Sequence, residues 1–286
     1  MKQAANDDEL RFEEDGYLLK RRLVEPQILA GVIRRIEDVV DRKAHELKNA
    51  GQITDLHASA PFEQRWALIV RDSGGKQELR SWDEDVVSPE LFKLLSEPSI
   101  LHVVQLFVGP EVLATGMIAV RPKIPLDKRT TILWHQDSHY VGEDTAMSPI
   151  ITVWLPLCDT NIDNGCLQMI RGSHKWGLEP CEWDDEHSAH RPVRDPTDRG
   201  VIVDCEMQAG DALFFNNLTY HRSGMNQSDH IRWSIDLRYH TPDLEYENRD
   251  LFMPGFLAHT TTGGRDIDTW ESWQRRIDAH AAKKHT

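Results

Sequence analysis

Past residue 110 the hydrophobic pattern of this chain changes period, and that change limits what it can fold into. Before it, apolar positions follow helical spacing. Residues 7–15 read as a short helix and 16–19 as a brief strand. From Pro26 to Ala50, Leu29, Val32, Ile33, Ile36, Val40 and Leu47 recur on one helical face, with Pro26 in the first turn and Gly51 at the stop. Residues 51–87 are polar and irregular. Ser88-Pro89-Glu90 opens a helix that buries Leu91, Leu94 and Leu95, and Ser99–Phe107 forms another, ended by Gly109-Pro110. After it, the runs 112–120, 150–157, 201–203, 212–215 and 231–239 are short, rich in β-branched and aromatic residues, and divided by turn formers. Many short strands after a helical opening predict a mainly β fold with flanking helices, a jelly roll or sandwich with the N-terminal helices packed on one sheet. No repeat, low-complexity linker or strong boundary interrupts it, so residues 1–286 read as a single domain: a helical part (1–110), a β core (111–242) and an extension (243–286) that ends in a helix carrying Trp270, Trp273 and Ile277.

The charge balance narrows the partners. Lys and Arg number 33 against 47 Asp and Glu, a net charge of −14, which opposes nucleic acid and anionic membranes but leaves room for a local basic pocket. No apolar run approaches the length that spans a bilayer, and the first residues lack a signal-peptide core. Cys158, Cys166, Cys181 and Cys205 follow no CxxC pattern and read as free thiols of a reducing compartment, with the cytoplasm as the expected location.

The chemistry concentrates in Leu133–Tyr140, Leu-Trp-His-Gln-Asp-Ser-His-Tyr. On a strand, His135 and Asp137 point to the same face and supply two members of a 2-His-1-carboxylate set, the donor combination that holds Fe(II) by one face of its octahedron. The third member must come from far along the chain, and His221 in Leu-Thr-Tyr-His-Arg-Ser-Gly is the best candidate. With 14 histidines a chance His-x-Asp is easy to find; His139 shares the strand parity of His135 and is a rival, as are His102, His174 and His230. Beyond His221, Arg232, Ser234, Asp236 and Arg238 alternate with Ile231, Trp233, Ile235 and Leu237. Periodicity alone puts the polar set in solvent. In a jelly roll whose interior holds a ligand, the same face lines the pocket, and Arg232 can then grip a carboxylate with both arms of its guanidinium. The Asn164-Gly165 pair reads as a type I′ turn, Trp66, Trp82 and Trp233 as core, and His174 as a satisfied loop histidine.

Trp-His-Gln-Asp at 134–137, Asn-Gly-Cys-Leu-Gln-Met-Ile-Arg-Gly-Ser-His at 164–174, Gly-Asp-Ala-Leu-Phe-Phe at 210–215 and His-Arg-Ser-Gly at 221–224 followed by Arg232 resemble the phytanoyl-CoA dioxygenase family. The opening Asp15-Gly16-Tyr17-Leu18-Leu19 fits as well, and the likeness runs in order over roughly residues 10–242. It implies an Fe(II)- and 2-oxoglutarate-dependent oxygenase with a double-stranded β-helix (jelly-roll) core. By that resemblance His135, Asp137 and His221 are the iron ligands, Arg232 binds the distal carboxylate of 2-oxoglutarate with help from the Ser223 hydroxyl, Trp154 borders the cosubstrate, and Arg80 is a further basic residue that holds it. Arg171 departs from the proline that relatives carry before Gly-Ser-His. The implied reaction uses O2 to convert 2-oxoglutarate to succinate and CO2 while hydroxylating an unactivated C–H bond of a small molecule; halogenating relatives lack the carboxylate that Asp137 supplies. Two other classes remain open from the residues: a cupin-like metal-dependent isomerase or dioxygenase without a cosubstrate, which leaves Arg232 without a task, and a non-catalytic binding protein on the same scaffold. The segments 51–87, 176–200 and the tail past Asp243 are candidate pocket walls, the second a charged lid with His187, His190, Arg191 and Arg194.

Overall fold

A computed structural model describes residues 6–75, 77, 82–261 and 264–284. The chain opens with α1 (Asp7–Asp15), capped reciprocally by Asn6 and Glu9 and closed by Gly16 in a left-handed conformation, and continues into β1 (Tyr17–Lys20). The long α2 (Pro26–Asn49) starts at a proline and buries Ile28, Leu29, Val32, Ile36, Val39 and Val40 along one face. Next come α3 (Phe62–Asp72), α4 (Pro89–Leu95) and α5 (Pro98–Val108). The segment expected to be irregular thus holds a helix, α3, whose Trp66, Ile69 and Val70 are buried. Its spacing is helical, but the Gly, Ser and charged residues around it masked the period.

The β part follows as β2 (Val112–Gly116), β3 (Ala119–Lys123), β4 (Ile132–His135), the short α6 (Ser138–Val141), β5 (Ile151–Pro156), β6 (Leu167–Ile170), β7 (Cys181–Asp184), β8 (Ala189–Pro192), β9 (Ile202–Cys205), β10 (Ala212–Asn216), β11 (His221–Ser223), β12 (Arg232–His240) and β13 (Met253–His259), closed by α7 (Trp270–Lys284). All strand pairings are antiparallel. One sheet runs β1-β10-β5-β12-β2-β13 with β3 also on β12; the second runs β4-β11-β6-β9; β7 and β8 form a separate hairpin. Neighbours distant in sequence, such as β5 between β10 and β12, make this the jelly roll that the strand pattern predicted.

The large sheet has two buried faces, which explains where its alternation leads. Ile151, Val153 and Leu155 of β5 and Trp233, Ile235, Leu237 and Tyr239 of β12 join one apolar cluster with Val32, Ile36, Trp66, Leu94 and Val104 of the helices. Tyr239 Oη donates to the Leu95 carbonyl (3.1 Å), a stitch between the layers. The opposite face looks inward across the roll, where Trp154, Leu213 and Phe215 meet Leu167 and Met169 of the second sheet. The polar residues of β12 therefore face the inside of the roll rather than solvent. Trp66, Trp82 and Trp233 are core, packed edge to face. All four cysteines are free thiols. Among the described residues no single helix is long and apolar enough to cross a membrane.

Candidate metal centre

Histidines 135 and 221 meet because β4 and β11 pair antiparallel with these two residues directly opposite each other. Their rings lie 4.1 Å apart between centroids. Each ring is fixed by its second nitrogen: Nδ1 of His135 donates to the Leu133 carbonyl (2.8 Å) and Nδ1 of His221 to the Thr219 carbonyl (2.9 Å). That tautomer leaves both Nε2 lone pairs aimed at one point, as a metal ligand requires. Asp137 reaches the same point by a different route from the expected strand alternation. β4 ends at His135, and Asp137 already has helical angles (φ −58°, ψ −29°) ahead of α6. The turn places its Oδ1 3.6 Å from Nε2 of His135 and 3.7 Å from Nε2 of His221. Ligand atoms of the three residues all lie within 4.8 Å of one another, the one group among the described residues that can hold a metal ion with three such donors. None of the rival histidines joins it. His139 packs against His190 in the neighbouring hairpin, and His174 Nε2 binds the Glu13 carbonyl (3.2 Å).

The carboxylate is held from behind by residues that the sequence did not disclose. Thr152 Oγ1 donates to Asp137 Oδ2 (2.7 Å), and Arg238 Nε approaches the same oxygen at 3.3 Å. Both come from the large sheet, where Thr152 and Arg238 are register partners on β5 and β12. Burial alone raises the Asp137 carboxyl, but the Arg238 guanidinium beside it overcomes this and holds it well below the usual carboxylate range. Burial, reinforced by His135, pushes His221 down to about 3, so its ring is neutral. Between the ligands, the Gln136 amide is fully used: it donates to the carbonyls of Gly177 (2.8 Å) and Leu218 (2.7 Å) and accepts from Glu179 N–H (2.9 Å).

The triad opens onto a cavity between the sheets. At its inner end Arg232 is 2 % exposed. Its guanidinium donates to Ser234 Oγ (2.5 Å), Ser223 Oγ (2.8 Å) and the Gly165 carbonyl (3.2 Å), and lies over the Trp154 ring at 5.2 Å. Every one of those acceptors is neutral, and among the described residues Nε has no partner. Burial pulls its pKa down to about 10, still far above neutrality. A buried guanidinium with neutral partners and an idle donor is incomplete without an anion. Next to it on β3, Lys123 gives its three ammonium hydrogens to the carbonyls of Thr130, Ser223 (3.3 Å) and Gly224 (2.7 Å), although burial and Arg232 push its pKa well down. The Asn164-Gly165 turn closes this end. Of the pair only Gly165 has a positive φ (+76°), so the turn is not the type I′ expected, and a Cβ there meets the Gly224 carbonyl oxygen at 2.7 Å. Of the site residues expected from sequence, His135, Asp137, His221, Arg232, Ser223 and Trp154 all line this one cavity, whereas Arg80 lies outside the described residues. The donor set, the fixed tautomers and the idle Arg232 donor fit a ferrous ion with a dicarboxylate beside it.

A family profile described as phytanoyl-CoA dioxygenase (PhyH) matches residues 12–234. The peroxisomal phytanoyl-CoA dioxygenase of Homo sapiens is 28% identical over 240 residues, covering 82% of this chain and 68% of that protein. Among solved structures, the apo non-heme monooxygenase ThoJ superposes with a TM-score of 0.62 at 21% identity over 97% of this chain and 100% of its own. The epimerase SnoN, solved with Fe3+, α-ketoglutarate and nogalamycin RO, superposes with a TM-score of 0.55 at 18% identity over 91% of each chain. Given the profile match across most of its length, the chain belongs to the phytanoyl-CoA dioxygenase family of Fe(II)- and 2-oxoglutarate-dependent oxygenases.

Proposed function

We propose that this protein hydroxylates an unactivated C–H bond of a small molecule, with 2-oxoglutarate as cosubstrate and release of succinate and CO2. His135, Asp137 and His221 are the iron ligands in this reading, and Arg232, Ser223 and Trp154 hold the cosubstrate, with Arg80 a further basic contact. When bound, the ferrous ion with 2-oxoglutarate supplies O2 activation and the oxidising power. The protein residues supply position. The carbonyls behind His135 and His221 fix the tautomer and the aim of both imidazoles. Thr152 binds Asp137 Oδ2, and Arg238 spans both oxygens of the carboxylate from behind, which fixes it with Oδ1 turned towards the two imidazoles. Ser223 gives its hydrogen to the Gly165 carbonyl (3.0 Å) and accepts from Arg232, so it acts on the cosubstrate by aiming the guanidinium. Trp154 walls the space between Arg232 and the ligands.

The observation that carries the reading is Arg232, a buried cation bonded, among the described residues, only to neutral oxygens in the same cavity as the triad. A cosubstrate-free cupin-like enzyme has no use for it, and a binding protein has no use for the triad. Hydroxylation is favoured over halogenation because Asp137 keeps the carboxylate ligand. The test is a small-molecule screen with Fe(II) and 2-oxoglutarate, scored by succinate release and by mass spectrometry of the product. We expect a product that gains one oxygen atom and no succinate from Asp137→Ala. An isomeric product with no oxygen gained overturns the hydroxylase assignment, and full turnover by Asp137→Ala overturns the ligand assignment.

A further inference from the structure

The cavity is cationic in an acidic protein. Five of its lining side chains are basic and two are acidic, while the whole chain carries −14. A ferrous ion and the doubly charged 2-oxoglutarate offset each other, so the excess persists in the loaded site and favours anions.

Four of the five cations are already committed. Arg232 faces the cosubstrate in the reading above. Lys123 spends its hydrogens on three carbonyls, and Arg129 pairs with Asp127 (2.9 Å from Nε). Arg238 lies against Asp137 (3.3 Å). Arg121 differs. Its Nε donates to Asp236 Oδ2 (2.8 Å), which braces the side chain from β3 across to β12, while its two terminal nitrogens make no hydrogen bond among the described residues. The side chain is 36% exposed although it stands in the wall of the cavity. Two further carboxylates act on Arg121 without a hydrogen bond to it: Asp83, which does not line the cavity, and Asp137, which Arg238 already holds. A guanidinium fixed through Nε with both terminal nitrogens open presents the planar fork that matches a carboxylate or a phosphate. The contacts Arg121–Asp236 (2.8 Å), Asp236–Arg238 (4.0 Å) and Arg238–Asp137 (3.3 Å) connect this fork to the metal ligand, so an anion held there keeps the rest of its molecule within reach of the iron.

We infer that Arg121 anchors an anionic group, a carboxylate or a phosphate, on the prime substrate, and that the enzyme therefore selects anions. This rests on the reading of the triad and Arg232 as the iron and cosubstrate sites, and it deepens that reading.

The experiment uses the full chain loaded with Zn(II) in place of iron and with saturating 2-oxoglutarate. Dissociation constants are measured by ligand-observed NMR for hexanoate, hexyl phosphate, hexanamide and hexanol. At least one anion is expected to bind about tenfold or more tighter than the uncharged pair, and Arg121→Gln is expected to bring the anions to within about twofold of them. Arg121→Lys, which keeps the charge and loses the fork, is expected to fall between, and it stands in if the glutamine variant does not fold. Which anion binds tighter decides between carboxylate and phosphate. The inference is overturned if the uncharged probes bind as well as the anions, if no anion binds, or if the Arg121 variants match the wild type. It is also overturned if Arg121→Gln lowers 2-oxoglutarate affinity as far as Arg232→Ala does, because Arg121 then belongs to the cosubstrate site. A wild type that binds no 2-oxoglutarate overturns the cosubstrate reading and this one together, whereas normal 2-oxoglutarate binding without an anion preference overturns this one alone.

Discussion

Asp137 has two oxygens with different tasks, and the difference is set by its neighbours. Thr152 takes Oδ2, Arg238 bridges both oxygens, and Oδ1 faces the two imidazoles. Outer partners of metal ligands typically change metal affinity or activity by about 10–100-fold when lost, so Thr152→Val and Arg238→Met are each expected to weaken metal binding on that scale. Competition with a chelator measures it, and an unchanged affinity in both variants contradicts the account. Arg232→Ala removes the buried cation proposed to face the cosubstrate; the expected cost is about 2–5 kcal/mol of cosubstrate binding, seen as a rise in the KM for 2-oxoglutarate. The expected ligand residues were legible because each sits in a short polar break of an apolar run. Thr152 and Arg238 were not. Thr152 hides inside the run Ile150–Leu157, and Arg238 stands 101 residues from the carboxylate it supports. Arg232 was legible only as an alternative, because its strand alternates as a surface strand does. Helices covering the apolar face reverse that inference.

At the scale of elements, long periodic segments announced themselves and short ones did not. Alpha-2 matches its expected span closely, since a proline starts it and apolar residues mark one face throughout. The run 112–120 proved to be two strands, β2 and β3, parted at Met117-Ile118. The hairpin β7–β8 and the strand β13 lie where a loop and a tail were expected, since their polar and proline-containing sequences carry no clear alternation. Beside the triad, that hairpin is tied down by Tyr140 Oη, which accepts from the His190 N–H (2.9 Å). The turn at Gly165 is the element on which the inner end of the cavity depends. Its positive φ and the 2.7 Å approach of a Cβ to the Gly224 oxygen make Gly165→Ala strained and overpacked. We expect a loss of about 1–3 kcal/mol in stability together with weaker 2-oxoglutarate binding, because the Gly165 carbonyl is bonded to both Arg232 and Ser223. Thermal unfolding and cosubstrate titration check the two effects, and a variant unchanged in both contradicts the role given to this turn.

Over the whole molecule, charge is distributed against the average: an acidic chain encloses a basic cavity, and the buried acids near it carry a cost. Burial pushes the carboxyl of Asp83 up to about 6 from 3.8, with Arg121 pulling the other way. A carboxyl whose value is higher when folded contributes stability below 3.8 that is lost as pH rises through about 6. Asp83→Asn mimics the neutral form, so its stability relative to wild type should rise across that window by up to about 2–3 kcal/mol and be flat below it. Chemical denaturation at a series of pH values reads the difference, and a constant gap between the two proteins refutes it.

The central claim is that His135, Asp137 and His221 hold one ferrous ion beside a 2-oxoglutarate gripped by Arg232. Anaerobic titration of the protein with Fe(II) and then 2-oxoglutarate tests it most directly. The account predicts a weak visible charge-transfer band in the wild type that needs both additions, disappears in His221→Ala, and requires more 2-oxoglutarate in Arg232→Ala. No band in the wild type, or an undiminished band in His221→Ala, contradicts it.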